Sequence, residues 1–496
     1  MLKIYKIRPI VTELKSIKVK NLVIALVIIS LITFTLVNFW IHKHKKHMST
    51  VNLQNVIVHL DLKGSPPKLS YLKTLLPMLK SLGATGFLME YEDMFPYDGR
   101  LVNISANNRY KKSELKEFIS VAVESGFEII PLVQTFGHLE HVLKLVEFQH
   151  LREIPFYPDS ICPSQGESKQ IIQDMLEQII KFHSDVTPLK YFHIGCDEVY
   201  RINECFQCRG RHLEDIDIFI NHIESVKDIV KKLSPKTSVL IWDDMLRSQN
   251  MSTWDRINSF NDIETVYWEY RKKIDMSHIK LLKYHQKFKE IWIASAFKGW
   301  SRYSHFDPPC ELLPSSLPSL VLNLLLIQRY KEGIPRDYRY VYVDDFFGNL
   351  LRDEFNKHLH CSSSISVEFF DNYQCSFEGN DLYKLQKLND ILQRNITIGF
   401  NNINHALSTI EFYANTNNVN RALAGTNIAW CNNTIIDLLE IEKKMAHELS
   451  KYYDRSFINE YVNFKTNNGK RTLYKLLKGL VKTLNVQTWP RRPYHS

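Results

Sequence analysis

Cysteine is scarce in this chain. Eight residues in 496 cannot staple a fold of this length, so an ordinary hydrophobic core must hold it together. There is one close pair, Cys205-Phe-Gln-Cys208. No second Cys/His pair stands at a spacing that would complete a zinc site, so the pair reads as a loop disulfide rather than half a metal centre. No block of Lys and Arg is interleaved with aromatics along one element. The net charge of +9 therefore does not point to nucleic acid. Internal repeats and low-complexity tracts are also missing, which excludes solenoids.

One long hydrophobic run is present. Lys3, Lys6, Arg8, Lys15, Lys18 and Lys20 precede the uncharged stretch 21–41, "NLVIALVIISLITFTLVNFWI", which is long enough to cross a bilayer as a helix. No small-residue cleavage site follows it, and fewer basic residues follow than precede. These features predict a type II signal anchor: a cytosolic tail over 1–20, a transmembrane helix over 21–41, a stalk over 42–54, and everything beyond in the Golgi or secretory lumen. Four sequons, at Asn103, Asn250, Asn395 and Asn432, fit that placement.

From residue 55, strand-like and helix-like stretches alternate. Strands are expected within 55–64, 84–93, 127–138, 190–199, 238–246, 263–271 and 290–299. Between them lie amphipathic patterns such as "SELKEFISVAVESG", with Ser113 as N-cap and Gly126 as the stop. The order predicts an α/β fold of the (β/α)8 barrel type over 55–333. A mainly helical extension follows over 334–496, with the Asn-rich stretch 401–434 as loops. Nearly every strand ends in polar or aromatic residues: Asp61 and Lys63, Glu90 and Asp93, Gln134 and His138, Asp197 and Glu198, Trp242 with Asp243 and Asp244, Trp268 with Glu269 and Tyr270. In a barrel these converge on the C-terminal mouth.

Asp197 and Glu198 are adjacent at the end of "YFHIGCDEVY". A metal site would need further ligands, for which Asp243 and Asp244 are candidates. An ordinary glycosidase pair needs carboxyls ~5 to 10 Å apart on opposite sides of a sugar. Substrate-assisted hydrolysis fits neighbours better, since one carboxylate holds the sugar's own acetamido group while the other protonates the leaving oxygen.

"HIGCDEV" resembles the His-x-Gly-x-Asp-Glu signature of family 20 glycoside hydrolases, the β-N-acetylhexosaminidases. "LDLKGSPPK", "PLVQTFGHLEHVLK", "SAFKG" and "GWSRYSHFDPPCELLPSSLPSL" resemble its hexosaminidase D branch. That resemblance runs from about residue 55 to 330. It implies Glu198 as general acid/base with a raised pKa, and Asp197 as the group orienting the acetamido. It implies sugar contacts from Asp61, Lys63, His138, Glu140, Trp242, Asp243, Trp268, Tyr270 and Trp300, with His193 as either a contact or a buried support. No cofactor and no metal are implied. The substrate implied is a glycan ending in β-linked GlcNAc or GalNAc, released with retention. The hexosaminidase D likeness also permits a cytoplasmic or nuclear location, against the apolar span. The chain departs from the branch at Gly299-Trp300, where "AFKG" and "GWSRY" are joined directly. One barrel unit, roughly 30 residues, is missing, and "YVYVDDFF" at 340–347 is the nearby candidate to fill the gap. Two rival readings follow: a glycan-binding protein without turnover, and a metal-dependent hydrolase built on Asp243 and Asp244.

Overall fold

The computed structural model describes residues 53–256, 260, 262–269, 278–297, 312–331, 348–360, 375–412 and 421–485. Strands β1 (Ile57–Asp61), β2 (Gly86–Glu90), β3 (Glu128–Leu132), β6 (Tyr191–His193), β7 (Ser238–Trp242), β8 (Ile263–Glu269) and β9 (Ile291–Ser295) form one parallel sheet in that order. Each falls inside a stretch that the sequence marks as a strand. In register, Asp61 lies beside Glu90, Glu90 beside Leu132, Leu132 beside His193, and Trp242 beside Val266. The polar strand ends thus share one edge of the sheet. β2 and β7 are buried at every residue, as strands covered on both faces must be.

Amphipathic helices over Leu69–Ser81, Lys112–Glu124, Gly166–Ser184 and Asp215–Leu233 cover the outer face. The second begins two residues earlier than expected. Lys111, not Ser113, is its N-cap, and it lacks a side-chain cap bond. Gly126, at φ +80°, ends the turn that follows as expected. On the inner face Leu88, Ile130, Leu132, Leu240, Trp242 and Val266 interlock. They sit two residues apart within a strand, so alternation alone sends them inward. Each such side chain contributes about 1.5–3 kcal/mol on burial.

The result is a parallel half-barrel with helices. Among the described residues no pairing joins β9 back to β1. Among the described residues β9 is an edge strand, with Ile293 61% exposed. The Gly299-Trp300 junction and the stretch 340–347 lie outside the described residues.

Two features were not expected. Strands β4 (Arg152–Ile154) and β5 (Tyr157–Ile161) make an antiparallel hairpin between β3 and β6. The Asn-rich stretch, expected as loops, lies mostly in helices Asn380–Phe412 and Arg421–Leu449. With Arg455–Leu484 these pack around Ile396, Ile403, Leu438, Leu473 and Leu476. Because Asn recurs on the outer faces, the apolar spacing of the helix decides there. The Lys68 N–H donates to the Tyr452 carbonyl at 2.7 Å and Tyr71 packs edge-on to Tyr452, which joins these helices to the barrel's first helix.

The expectation of a type II membrane protein of the Golgi lumen is corrected. No helix among the described residues is long and apolar enough to cross a membrane, and residues 21–41 lie outside them.

Candidate active site

The chain leaves β6 without leaving the sheet: Ile194 N–H still donates to the Leu240 carbonyl and Trp242 N–H to that of Gly195. Gly195 and Cys196 then take φ +70° and +71°, and Glu198 takes φ +48°. A Cβ on Gly195 would stand 2.0 Å from Gln134 Oε1, so the glycine of the motif is required twice over, by φ and by space. Gly137 likewise lets the His138 loop approach, since a Cβ there would meet the Asp197 carbonyl at 2.5 Å. Left-handed backbone at three non-glycine residues of the site, His138 (φ +54°) among them, is strain that the surrounding packing holds in place.

The kink aims the two carboxylates at His138. Its Nε2 lies 3.4 Å from Asp197 Oδ2 and 3.4 Å from Glu198 Oε2. Burial works against the imidazolium, but hydrogen bonds to Asp197 and then Glu198 outweigh it and push His138 up to about 11. Asp197 is buried, which works against its ionisation. Its bonds from His138 and Gln134 nevertheless hold it below the usual carboxylate range. Glu198 is also held low, first by His138 and against partial burial, with Tyr200 adding a hydrogen bond. The raised pKa expected for Glu198 is thus corrected: a cation 60 residues away in sequence decides the sign.

Behind this trio runs a chain of bonds. Gln134 Nε2 donates to Asp197 Oδ1 and to Glu90 Oε1, both at 3.0 Å. The other Glu90 oxygen, Oε2, meets His59 Nε2 at 2.9 Å. Asp61 Oδ1 accepts from the Lys63 backbone N–H at 3.0 Å, while Lys63 Nζ pairs with Glu92 at 2.7 Å. Glu92 is buried and driven up to about 8 by that burial, with Lys63 opposing. Glu140 is buried at the start of the short helix Glu140–Leu143. His193 is fully buried and held neutral by it, with its pKa lowered to about 3. Its Nδ1 accepts the Gly195 N–H at 3.0 Å, and its ring lies 4.5 Å from that of Trp242. It supports the turn from beneath, and Trp242, itself buried, floors the site.

At the end of β7 the roles of the neighbouring acids differ from expectation. Asp243 is completely buried. It is bound by Arg247, at 2.8 Å to Nε, and by the Tyr284 hydroxyl at 2.6 Å, so the structure does not bring it to the carboxylate cluster. Asp244 takes that place. Its Oδ2 accepts the Glu198 backbone N–H at 2.8 Å and its Oδ1 the Trp268 indole N–H at 3.2 Å. Burial, then the Asp197 charge, raises it to about 6. Trp268 is thereby fixed beside the pair. Tyr270 and Trp300 lie outside the described residues.

This arrangement can hold one carboxylate ionised, keep a second within reach of a proton donor, and exclude water with indole faces. The family model for glycosyl hydrolase family 20, catalytic domain, matches residues 41–282. Hexosaminidase D of Bos taurus is 36% identical over 329 residues, covering 56% of this chain and 94% of the bovine one. Hexosaminidase D of Homo sapiens is 37% identical over 321 residues, covering 55% of this chain and 65% of the human one. Among solved structures, an exo β-N-acetylglucosaminidase from Vibrio harveyi matches at 15% identity and TM-score 0.41, over 61% of this chain and 58% of that one. A β-N-acetylhexosaminidase from Bacteroides fragilis matches at 16% and 0.39, over 47% and 49%.

Proposed function

Because the chain belongs to glycosyl hydrolase family 20 and is a glycoside hydrolase of the β-hexosaminidase type, we propose that it releases terminal β-linked N-acetylglucosamine or N-acetylgalactosamine from glycoconjugates, with retention, by substrate-assisted hydrolysis. The observation that carries this is His138 Nε2 standing 3.4 Å from both Asp197 and Glu198.

In the first step the substrate's acetamido oxygen attacks the anomeric carbon. The bond to the leaving oxygen breaks, and Glu198 supplies the proton that oxygen needs. Asp197 accepts the acetamido N–H and stays ionised, its negative charge facing the oxazolinium ring as that ring becomes positive. Its lowered pKa suits this role. Glu198 is also ionised in the free site, and the imidazolium of His138 holds the proton it must acquire. A sugar that displaces water from Glu198 removes the solvation favouring its charge, and the proton moves across. In the second step Glu198 takes a proton from water, which attacks the anomeric carbon from the side the leaving group left and opens the ring.

Trp268, held by Asp244, offers a face to the sugar's C–H surface. Asp61, Lys63 and Glu140 are the remaining polar groups offered to its hydroxyls. The metal-dependent alternative loses its main support, because Asp243 is bound to Arg247 and Tyr284. Hydrolysis of chromogenic β-GlcNAc and β-GalNAc by the full chain tests the reading. Turnover that falls by at least ~100-fold in Glu198→Gln supports it. A folded chain that binds these sugars without cleaving them would sink it in favour of a glycan-binding role.

A further inference from the structure

Cys205 and Cys208, expected as a loop disulfide, are free thiols here, and the fold adds two partners to them. Cys162 follows β5 directly, and Glu153 lies in β4. Cys205 caps the short helix Phe206–Arg209 that carries Cys208. The Cys162 sulfur stands 3.3 Å from that of Cys205 and 3.6 Å from that of Cys208, and the Cys208 sulfur 3.3 Å from Glu153 Oε2. All four donor atoms lie within 4.8 Å of one another. Among the described residues this is the one group of three or more such side chains that could hold a metal ion.

From this cluster we infer a structural zinc site, with Cys162, Cys205, Cys208 and Glu153 as its four ligands. A disulfide needs sulfurs at ~2.05 Å, and these pairs stand well beyond that. Around zinc, with ~2.3 Å to each sulfur, tetrahedral geometry sets the sulfur–sulfur edge at about 3.8 Å. The separations found here need open by only a few tenths of an ångström.

Glu153 strengthens the assignment. It is 1% exposed, and no cationic side chain pairs with it among the described residues. A buried carboxylate without a counter-charge is costly unless a metal supplies one. Its Oε1 accepts the backbone N–H of Glu204 at 2.7 Å and of Cys205 at 2.9 Å, which leaves Oε2 turned to the sulfurs. The Cys208 N–H donates to the Cys205 sulfur at 3.3 Å, and Ser164 Oγ lies 3.1 Å from that of Cys208. Such outer contacts orient ligands. Three soft sulfurs select zinc over magnesium or calcium. Binding converts three thiols to thiolates and releases their protons to solvent, with no change of oxidation state. Cys205, only partly buried, gives the ion a way in.

The site would clamp the walls of the catalytic pocket. The β4–β5 hairpin is tied to the His138 loop, through Leu139 N–H to the Asp159 carbonyl at 3.0 Å and Ile161 N–H to that of Phe136 at 3.1 Å. Cys205 and Cys208 stand at the start of and within the short helix that closes the segment following Glu198, where Arg201 also pairs with Asp159. Zinc is thus placed to join the segments bearing His138 and Glu198, a positioning role that does not touch the sugar.

The test is the metal content of the full chain purified with zinc in the medium, with no reference to hydrolysis. Wild type and Glu198→Gln should each carry about one zinc per chain, and Cys205→Ser and Cys208→Ser should carry none. X-ray absorption at the zinc edge of the wild type should show about three sulfurs near ~2.3 Å and one lighter ligand, a readout that stands even if the variants fail to fold. A zinc-free wild type, zinc kept at full occupancy in both folded serine variants, or an edge spectrum showing only nitrogen and oxygen would each overturn the assignment.

Discussion

The Nε2 atom of His138 lies 3.4 Å from Glu198 Oε2, and this contact sets the charge state of the site. Together with the bond to Asp197, which contributes more, it makes His138 a cation to about pH 11 against burial, and it holds Glu198 below its ordinary range. Replacing it with His138→Asn should lower kcat by ~10²–10⁴-fold, the usual share of a positioned proton donor. The pH–rate profile should move as well, because Glu198 loses the bond that depresses it and its titration rises. A loss of rate with an unchanged profile would place His138 outside the proton path.

The same ion cluster predicts a stability difference with a definite sign. A histidine raised from 6.5 to about 11 contributes stability that is complete below 6.5 and is lost as pH climbs through 11. In denaturant unfolding, the gap between wild type and His138→Asn should therefore be widest at pH 6 and shrink steadily toward pH 10. A gap that grows over that range would contradict the assigned charge.

Asp244 is shifted in the opposite direction from Asp197 and Glu198. Its pKa rises from 3.8 to about 6 by burial and by the Asp197 charge, so its ionisation opposes folding as pH increases. Asp244→Asn is neutral throughout. The melting temperature of wild type should fall more between pH 4.5 and 8 than that of the variant, whatever the amide costs in lost bonds. Equal slopes would mean that the carboxyl is not desolvated.

Much of this site was legible as strand ends and little of it as contacts. Short apolar stretches mark the seven parallel strands, and nearly all of them end in polar or aromatic residues, because a packed interior and an exposed mouth impose that pattern on a barrel. Which neighbour of Asp243 and Asp244 reaches the pocket was not legible. The chain turns into a helix at Asp244, and strand alternation no longer tells the two apart. The sign of the Glu198 shift was hidden for another reason, since His138 comes from the loop after a different strand, β3. The hairpin β4–β5 escaped because "REIPFYPDSI" is short and interrupted by Pro155 and Pro158, and with it went the link from Cys162 to a pair 43 residues on.

Gly195 offers a test of the backbone. Gly195→Ala must hold φ +70°, a conformation that costs a non-glycine residue roughly 1–2 kcal/mol. Its Cβ would also displace Gln134 Oε1, 2.0 Å away. Gln134 then loses its grip on Asp197, so kcat should fall by at least ~10-fold in addition to the lost stability. Urea unfolding and turnover measured on one preparation separate the two effects. An alanine variant of full rate would show that Gln134 does not position Asp197.

Asp243 separates structure from chemistry. It is fully buried, and Arg247 and Tyr284 both depend on it. Asp243→Ala leaves the Arg247 cation without its partner, and breaking such a pair costs about 3–5 kcal/mol. Among the described residues the guanidinium still has the Trp268 carbonyl at 3.0 Å, the Tyr284 hydroxyl and the aromatic faces of Tyr267 and Trp268, none of which carries a negative charge. The variant should melt well below wild type. At a temperature where it stays folded, its KM for a chromogenic hexosaminide should stay within about twofold, because no sugar contact is removed. A KM raised tenfold or more with stability intact would return Asp243 to the substrate, as the strand-end pattern alone implied.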